Sequence, residues 1–218
     1  MATDETLQQE IETGTDKLKY GFNEIDCRQL ADNPFQLIGF DWTLMTAEKD
    51  GIANTMTVAW GGLGFMWGKP AVFAAVRPER YTFEFAQAAD TFSITSFDMK
   101  DKAKNWRKQL VYLGTISGRD ENKIQKSGLT LIHEGETPYF AESRIAMICK
   151  KIMVTQFNQD GICDHDFDKF YGGTNHGAEG LGGGFHYLYI AQITNLLIKE
   201  NEVIHPLPNK QSPNPSKH

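Results

Sequence analysis

Cysteine is scarce in this chain and what there is lies scattered. Cys27, Cys149 and Cys163 are the full complement among 218 residues, and none belongs to a Cys-x-x-Cys pair. That argues against a disulfide-built scaffold or a thiolate zinc site and fits a reducing cytoplasm. Positive charge is also in deficit, with 28 acidic against 22 basic side chains and a net charge of −6. A field of that sign repels polyanions, so nucleic acid is not an expected partner. Long apolar runs are missing. The stretch 52–68 is broken by Asn54, Thr55, Thr57 and several glycines, and it falls short of the roughly 20 apolar residues of a membrane span. The opening MATDETLQQEIET has neither the basic start nor the apolar run of a signal peptide. There is no internal repeat and no His-Glu-x-x-His pattern. CDHD at 163–166 offers metal-ligand residue types without a second cluster, so it reads as loop and no metal is expected.

What is present is β-rich. Runs of β-branched and aromatic residues recur between turn signals: FQLIGFDWTLMTA, NTMTVAW, PAVFAAV, TFSITSF, RIAMICKKIMVTQF and FHYLYIAQITNLLI. Helical spacing is visible over 79–89, over 100–112 through Ala103, Trp106 and Leu110, and over about 120–126. Strand-like runs follow one another directly instead of alternating with helices, which favours a mainly β barrel with helices over a doubly wound sheet. Residues 1–33 read as a polar N-terminal extension, 34–205 as one domain, and 206–218 (PLPNKQSPNPSKH) as a tail of disordered composition.

The stretch AVRPERYTFEFA at 75–86 gathers two arginines around a proline at the mouth of a helix. Pro78 suits the first helical position, and the residue before a proline is held extended, so Arg77 precedes the helix. The free amides of the first turn, the helix dipole and two planar guanidinium groups then favour an anion, with phosphate the best fit. The hydroxyls of Tyr81 and Thr82 are further donors. The alternative is surface pairing of Arg77 and Arg80 with Glu79 or Glu84.

Three other stretches carry candidate chemistry. In NTMTVAWGGLG, Asn54 and Thr57 near Trp60 provide hydrogen bonds and an aromatic wall for a flat heterocycle, although Thr and Trp are good strand residues in any case. The glycines of GGLGFMWG do not have the spacing of a dinucleotide-binding turn. SGRDENK at 117–123 reads as a loop entering a helix, with Ser117 or Asp120 as its cap and Arg119 and Lys123 available to a ligand. Seven glycines between Tyr171 and Gly184 make a mobile or close-approach loop, after which His186 opens a strand. A buried, hydrogen-bonded histidine is the plain alternative to a catalytic one.

Taken together, these segments resemble the flavin reductase-like proteins with an FMN-binding split β-barrel, the group that includes flavoredoxin. NTMTVAW is similar to the family's first ligand strand, VRPERYT to its phosphate-binding turn, SGRDENK to its SGRDxxK loop and HYLYIAQI to its late strand, over about residues 34–200. The resemblance implies that Arg77, Arg80, Tyr81 and Thr82 hold the FMN phosphate. It implies that Asn54, Met56, Thr57 and Trp60 contact the ring, and that Ser117, Gly118, Arg119 and Lys123 close the site, with His186 as the catalytic candidate. It further implies a homodimer and electron transfer through FMN, with NAD(P)H or a protein as donor. An oxidoreductase and a flavoredoxin-type carrier that does not itself oxidise NAD(P)H are both compatible. Ala191 and Gln192 stand where many relatives have Gly and Glu, and Phe185 stands where NADH-dependent members often have Asp.

Overall fold

The computed structural model describes residues 18–163, 168–171 and 184–207. Within them the strands are β1 (Phe22–Ile25), β2 (Thr43–Lys49), β3 (Ile52–Val58), β4 (Gly61–Met66), β5 (Lys69–Val76), β6 (Thr91–Ser96), β7 (Leu131–Glu134), β8 (Thr137–Phe140), β9 (Ile145–Gln156) and β10 (Tyr187–Lys199). The helices are α1 (Tyr81–Ala88), α2 (Trp106–Thr115), α3 (Lys123–Ser127) and α4 (Asp168–Tyr171). One sheet runs β3-β2-β6-β9-β10-β5-β4 with antiparallel pairing throughout, and β7-β8 forms a separate hairpin.

The long strand β10 organises the sheet. One edge pairs with β9 along most of its length, while the other edge is divided: Tyr187 to Gln192 pair with β5, and Leu196 to Lys199 with β1. The sheet curls until β3 meets β5 without a ladder between them. Its inner face carries Met45, Met56, Val72, Phe92, Met147 and Tyr189, all buried in one cluster. Burial of such side chains is the main favourable term in folding, at about 25 cal/mol per Å² of apolar surface. A second cluster, including Leu44, Phe97, Trp106, Leu110 and Leu113, fastens α2 to the outside of β2.

Three departures from the sequence expectation have clear causes. The first half of FQLIGFDWTLMTA is not strand: Phe35–Asp41 forms a π-helical turn, begun by Asn33, whose side chain accepts from the amides of Phe35 and Gln36. Leu37 and Ile38 point inward while Phe35 and Phe40 are exposed, a pattern that a short apolar run does not distinguish from a strand. GGLGFM, outside the runs read as strands, forms β4, and Gly61 lies so close to the Phe73 and Ala74 backbone of β5 that any Cβ there would collide with it. The sheet also begins earlier than residue 34, since β1 is packed down by Phe22 against Tyr139, with ring centroids 5.5 Å apart. Residues 1–17, the glycine-rich 172–183, most of the CDHD stretch and 208–218 lie outside the described residues. No described helix is long and apolar enough to cross a membrane.

Candidate functional site

The RPER segment leaves the end of β5 and turns before the helix starts. The amide of Arg80 donates to the Arg77 carbonyl at 3.2 Å, and Arg80 itself has extended backbone, so the first helical residue is Tyr81 and not Pro78. Arg80 is the N-cap and its side chain makes no capping bond. The amides of Tyr81 and Thr82 therefore have no intrahelical carbonyl to pair with. The first turn opens on a recess of about 70 Å³ lined by Met56, Arg80, Tyr81, Thr82, Ser117 and Gly118, among others.

Strand β3 supplies the floor. Asn54 is buried and its Nδ2 donates to Thr82 Oγ1 at 2.9 Å, tying β3 to the helix mouth. Met56 borders the recess, while Thr57 turns the other way and donates to the Leu110 carbonyl of α2. Gly118 comes in over Asn54 and Tyr81 so closely that a Cβ would stand 2.9 Å from Tyr81 Cδ1 and 3.0 Å from Asn54 Cγ. Only glycine fits this approach, which gives SGRD a steric reason for its second residue. Ser117 Oγ accepts from the Arg119 amide and shapes the turn.

The two arginines part company. Arg80 donates to the Gly114 carbonyl at 3.0 Å and borders both the helix-mouth recess and a second one of about 160 Å³. Arg77 borders only the second, together with Met56, Thr57, Trp60 and His186. Its Nη2 donates to the Phe170 carbonyl at 3.0 Å, and its guanidinium lies over the Tyr171 ring. Its Nη1 is buried with no partner among the described residues, and burial depresses its pKa. A buried, unpaired guanidinium nitrogen beside an open recess is costly unless a ligand or solvent meets it.

His186 is buried at the end of this second recess. Its Nδ1 lies 2.6 Å from the Tyr171 hydroxyl, and its ring packs 4.9 Å from Trp60. Burial, then Arg77 and Arg80, press its pKa down to about 4, so the imidazole is neutral at pH 7. Trp60 is partly exposed and meets Phe170 edge-on at 5.2 Å. Phe170 and Tyr171 are site residues that sequence reasoning missed. They belong to no recognisable motif, and the glycine-rich segment separates them in sequence from the strand they face.

Arg119 and Lys123 are each bonded to other groups of the protein, and Lys123 also borders the helix-mouth recess. Arg119 pairs with Glu84, donates to the Glu79 carbonyl and stacks on Tyr81 at 4.7 Å. Lys123 is buried, and its Nζ donates to the Leu113 and Ile116 carbonyls at 2.8 and 3.0 Å, closing the end of α2. Burial, with Arg80 nearby, lowers its pKa to about 8. The cap of α3 is Asn122, in place of Ser117 or Asp120, because its side chain accepts from the Gln125 amide. Among the described residues no group of His, Cys, Asp and Glu is arranged to hold a metal.

No protein-family model matches the chain. An uncharacterized protein from Aeropyrum pernix is 30% identical over 129 residues, spanning 56% of this chain and 44% of that protein's length. Among solved structures, an FMN-binding domain of a flavin reductase-like enzyme from Shewanella baltica aligns over 82% of this chain and 77% of its own, with TM-score 0.56 and 17% identity. Flavoredoxin from Methanosarcina acetivorans aligns over 82% and 75%, with TM-score 0.52 and 18% identity. Flavoredoxin from Desulfovibrio vulgaris aligns over 80% and 74%, with TM-score 0.52 and 20% identity. The fold is thus the split barrel of the FMN-binding, flavin reductase-like proteins.

Proposed function

We propose that this chain is an FMN-binding oxidoreductase that passes electrons through the bound flavin. The observation that carries the reading is the helix-mouth recess. Two unpaired amides, the Arg80 guanidinium and the Thr82 and Ser117 hydroxyls surround it, in a chain whose overall charge is −6. The donor set fits a phosphate dianion, and the gap over Asn54 and Tyr81 that only a glycine can border fits a loop closing on it. Arg80, Tyr81, Thr82, Ser117 and Gly118 would hold the phosphate, and Asn54, Met56 and Thr57 would lie along the ring with Trp60 as its wall, the last three lining one recess beside the helix mouth. Arg119 holds Tyr81 and acts on the site through it, while Lys123 keeps the end of α2 in place and itself borders the recess. FMN, when bound, supplies reversible two-electron chemistry, while the protein binds, orients and shields it.

The homodimer implied by the resemblance finds support in the exposed Phe35, Phe40, Phe65 and Trp67. The electron donor is NAD(P)H or a protein, and a cytoplasmic location fits either. The pairing of His186 with Tyr171, in place of a carboxylate, favours the flavoredoxin-type carrier as the second reading. Reconstitution with FMN followed by anaerobic addition of NADH or NADPH tests both. A yellow protein bleached rapidly by the nucleotide supports the enzyme. Bleaching by dithionite alone supports the carrier, and a colourless protein at saturating FMN rejects the proposal.

A further inference from the structure

Arg77 is left over once the phosphate has been placed. It borders the Trp60 recess and not the helix mouth, so of the two arginines it is the one confined to the ring side of the site. Its guanidinium is held on two sides: Nη2 donates to the Phe170 carbonyl at 3.0 Å, and the central carbon lies 5.4 Å from the centre of the Tyr171 ring. The residue is only 8% exposed, and Nη1 is buried with no partner among the described residues. A side chain fixed in this way does not swing out to water, so its spare N–H groups are satisfied only by what fills the recess.

The other groups of the recess leave Arg77 as its main fixed charge. Thr57 gives its hydroxyl proton to the Leu110 carbonyl, and Arg80 donates to Gly114 and also faces the helix mouth. His186 is neutral. Burial raises the pKa of the Tyr171 hydroxyl, which keeps its proton and donates it to Nδ1, so the imidazole proton resides on Nε2. No carboxylate is among the lining residues. Such a charge bears unequally on the two states of a flavin. The oxidised ring is neutral, whereas uptake of two electrons and one proton leaves the ring with one negative charge. A fixed cation beside it therefore favours the reduced form, and a buried position of low dielectric strengthens the effect.

We propose that Arg77 serves the flavin ring and not the phosphate, and that it is the residue that raises the reduction potential of the cofactor. Tyr171 is its positioning residue, because the aromatic ring holds the guanidinium at the recess. The inference rests on the FMN reading and divides the work of the two arginines: Arg80 governs how tightly FMN is held, and Arg77 how readily it is reduced.

The test is a spectroelectrochemical titration of the FMN-loaded protein, with FMN affinity measured on the same preparations. Wild type is expected to hold reduced FMN more tightly than oxidised FMN, so the bound midpoint lies above that of free FMN. A midpoint at or below that of free FMN overturns the proposal without recourse to any variant. In Arg77→Gln, affinity for reduced FMN should fall about tenfold further than affinity for oxidised FMN, the lower end for a charge-assisted hydrogen bond. That ratio lowers a two-electron midpoint by about 30 mV. Arg77→Lys keeps the charge and should recover part of the shift. An Arg77→Gln protein that binds FMN at the wild-type midpoint overturns the role of Arg77 and leaves the flavoprotein reading in place. Loss of oxidised FMN as severe as in Arg80→Ala returns Arg77 to the phosphate and overturns it also. A wild-type protein that takes up no FMN overturns both readings. For Tyr171, Tyr171→Leu should lower the midpoint in the wild-type background and add no further shift to Arg77→Gln. A shift that persists in the double variant rejects Tyr171 as the positioning residue of Arg77.

Discussion

Replacing Gly118 by alanine places a methyl group where the structure has no room for one. The new Cβ stands 2.9 Å from Tyr81 Cδ1 and 3.0 Å from Asn54 Cγ, and neither neighbour retreats easily. Asn54 is buried and bonded to Thr82, and Tyr81 is held between Arg119 at 4.7 Å and Phe85 at 4.9 Å. Forcing the methyl into place costs about 1–3 kcal/mol of overpacking. If Asn54 yields instead, loss of its buried hydrogen bond adds about 1–3 kcal/mol. The third route is for the loop at Ser117 and Gly118 to lift away, which spares the fold but opens the wall of the phosphate recess. The first two routes lower the melting temperature by about 2–4 °C per kcal/mol in a chain of this size. The third weakens FMN binding by about tenfold or more with little change in melting. Differential scanning fluorimetry and a flavin fluorescence titration on the same preparation separate the routes. Wild-type melting and wild-type affinity together would refute the close packing described for Gly118.

Arg80→Ala removes the guanidinium at the helix mouth and should weaken FMN by about 10- to 100-fold, as a charge-assisted bond of about 1.5–3 kcal/mol implies. Arg77→Ala, whose side chain borders only the neighbouring recess, should weaken FMN by less than about tenfold, and equilibrium dialysis of both variants checks the order. Because the pKa of His186 is depressed to about 4, the unfolded chain takes up a proton here between about pH 6.5 and 4 that the folded chain refuses. Stability should therefore fall as pH falls through that window, and denaturant titrations should show a shallower fall in His186→Gln. Lys123 gives the same sign in an alkaline window. Its folded pKa near 8 lies below the ordinary lysine value, so wild type should gain stability relative to Lys123→Met as pH rises from about 8 to 10.5. A pH-independent difference would place Lys123 in solvent.

Much of this was legible in the chain because the relevant physics is local. The β-branched runs PAVFAAV, TFSITSF and RIAMICKKIMVTQF specify strands through alternation and turn signals, and they are β5, β6 and β9. RPERYT specifies a strand-to-helix turn with unpaired amides, because a proline, its restricted neighbour and the first helical turn lie within six residues. Where local signals were balanced, tertiary packing decided. Phe35–Asp41 is helical because burying Leu37 and Ile38 while leaving Phe35 and Phe40 outside suits a helical turn, and the short apolar run alone is equally compatible with a strand.

The charges at the site show the division most clearly. By itself the sequence determined that Arg77, Arg80, Arg119 and Lys123 accompany two turn motifs, since residue type and short-range spacing are enough for that. Only the tertiary structure decided what each one faces: Arg80 the helix mouth, Arg77 the ring of Tyr171 and a recess beside Trp60, Arg119 an ion pair with Glu84, and Lys123 the carbonyls that end α2. A long cationic side chain reaches several partners from one backbone position. Which partner it meets depends on elements distant in sequence, here α4 for Arg77, α2 for Arg80 and α1 for Arg119.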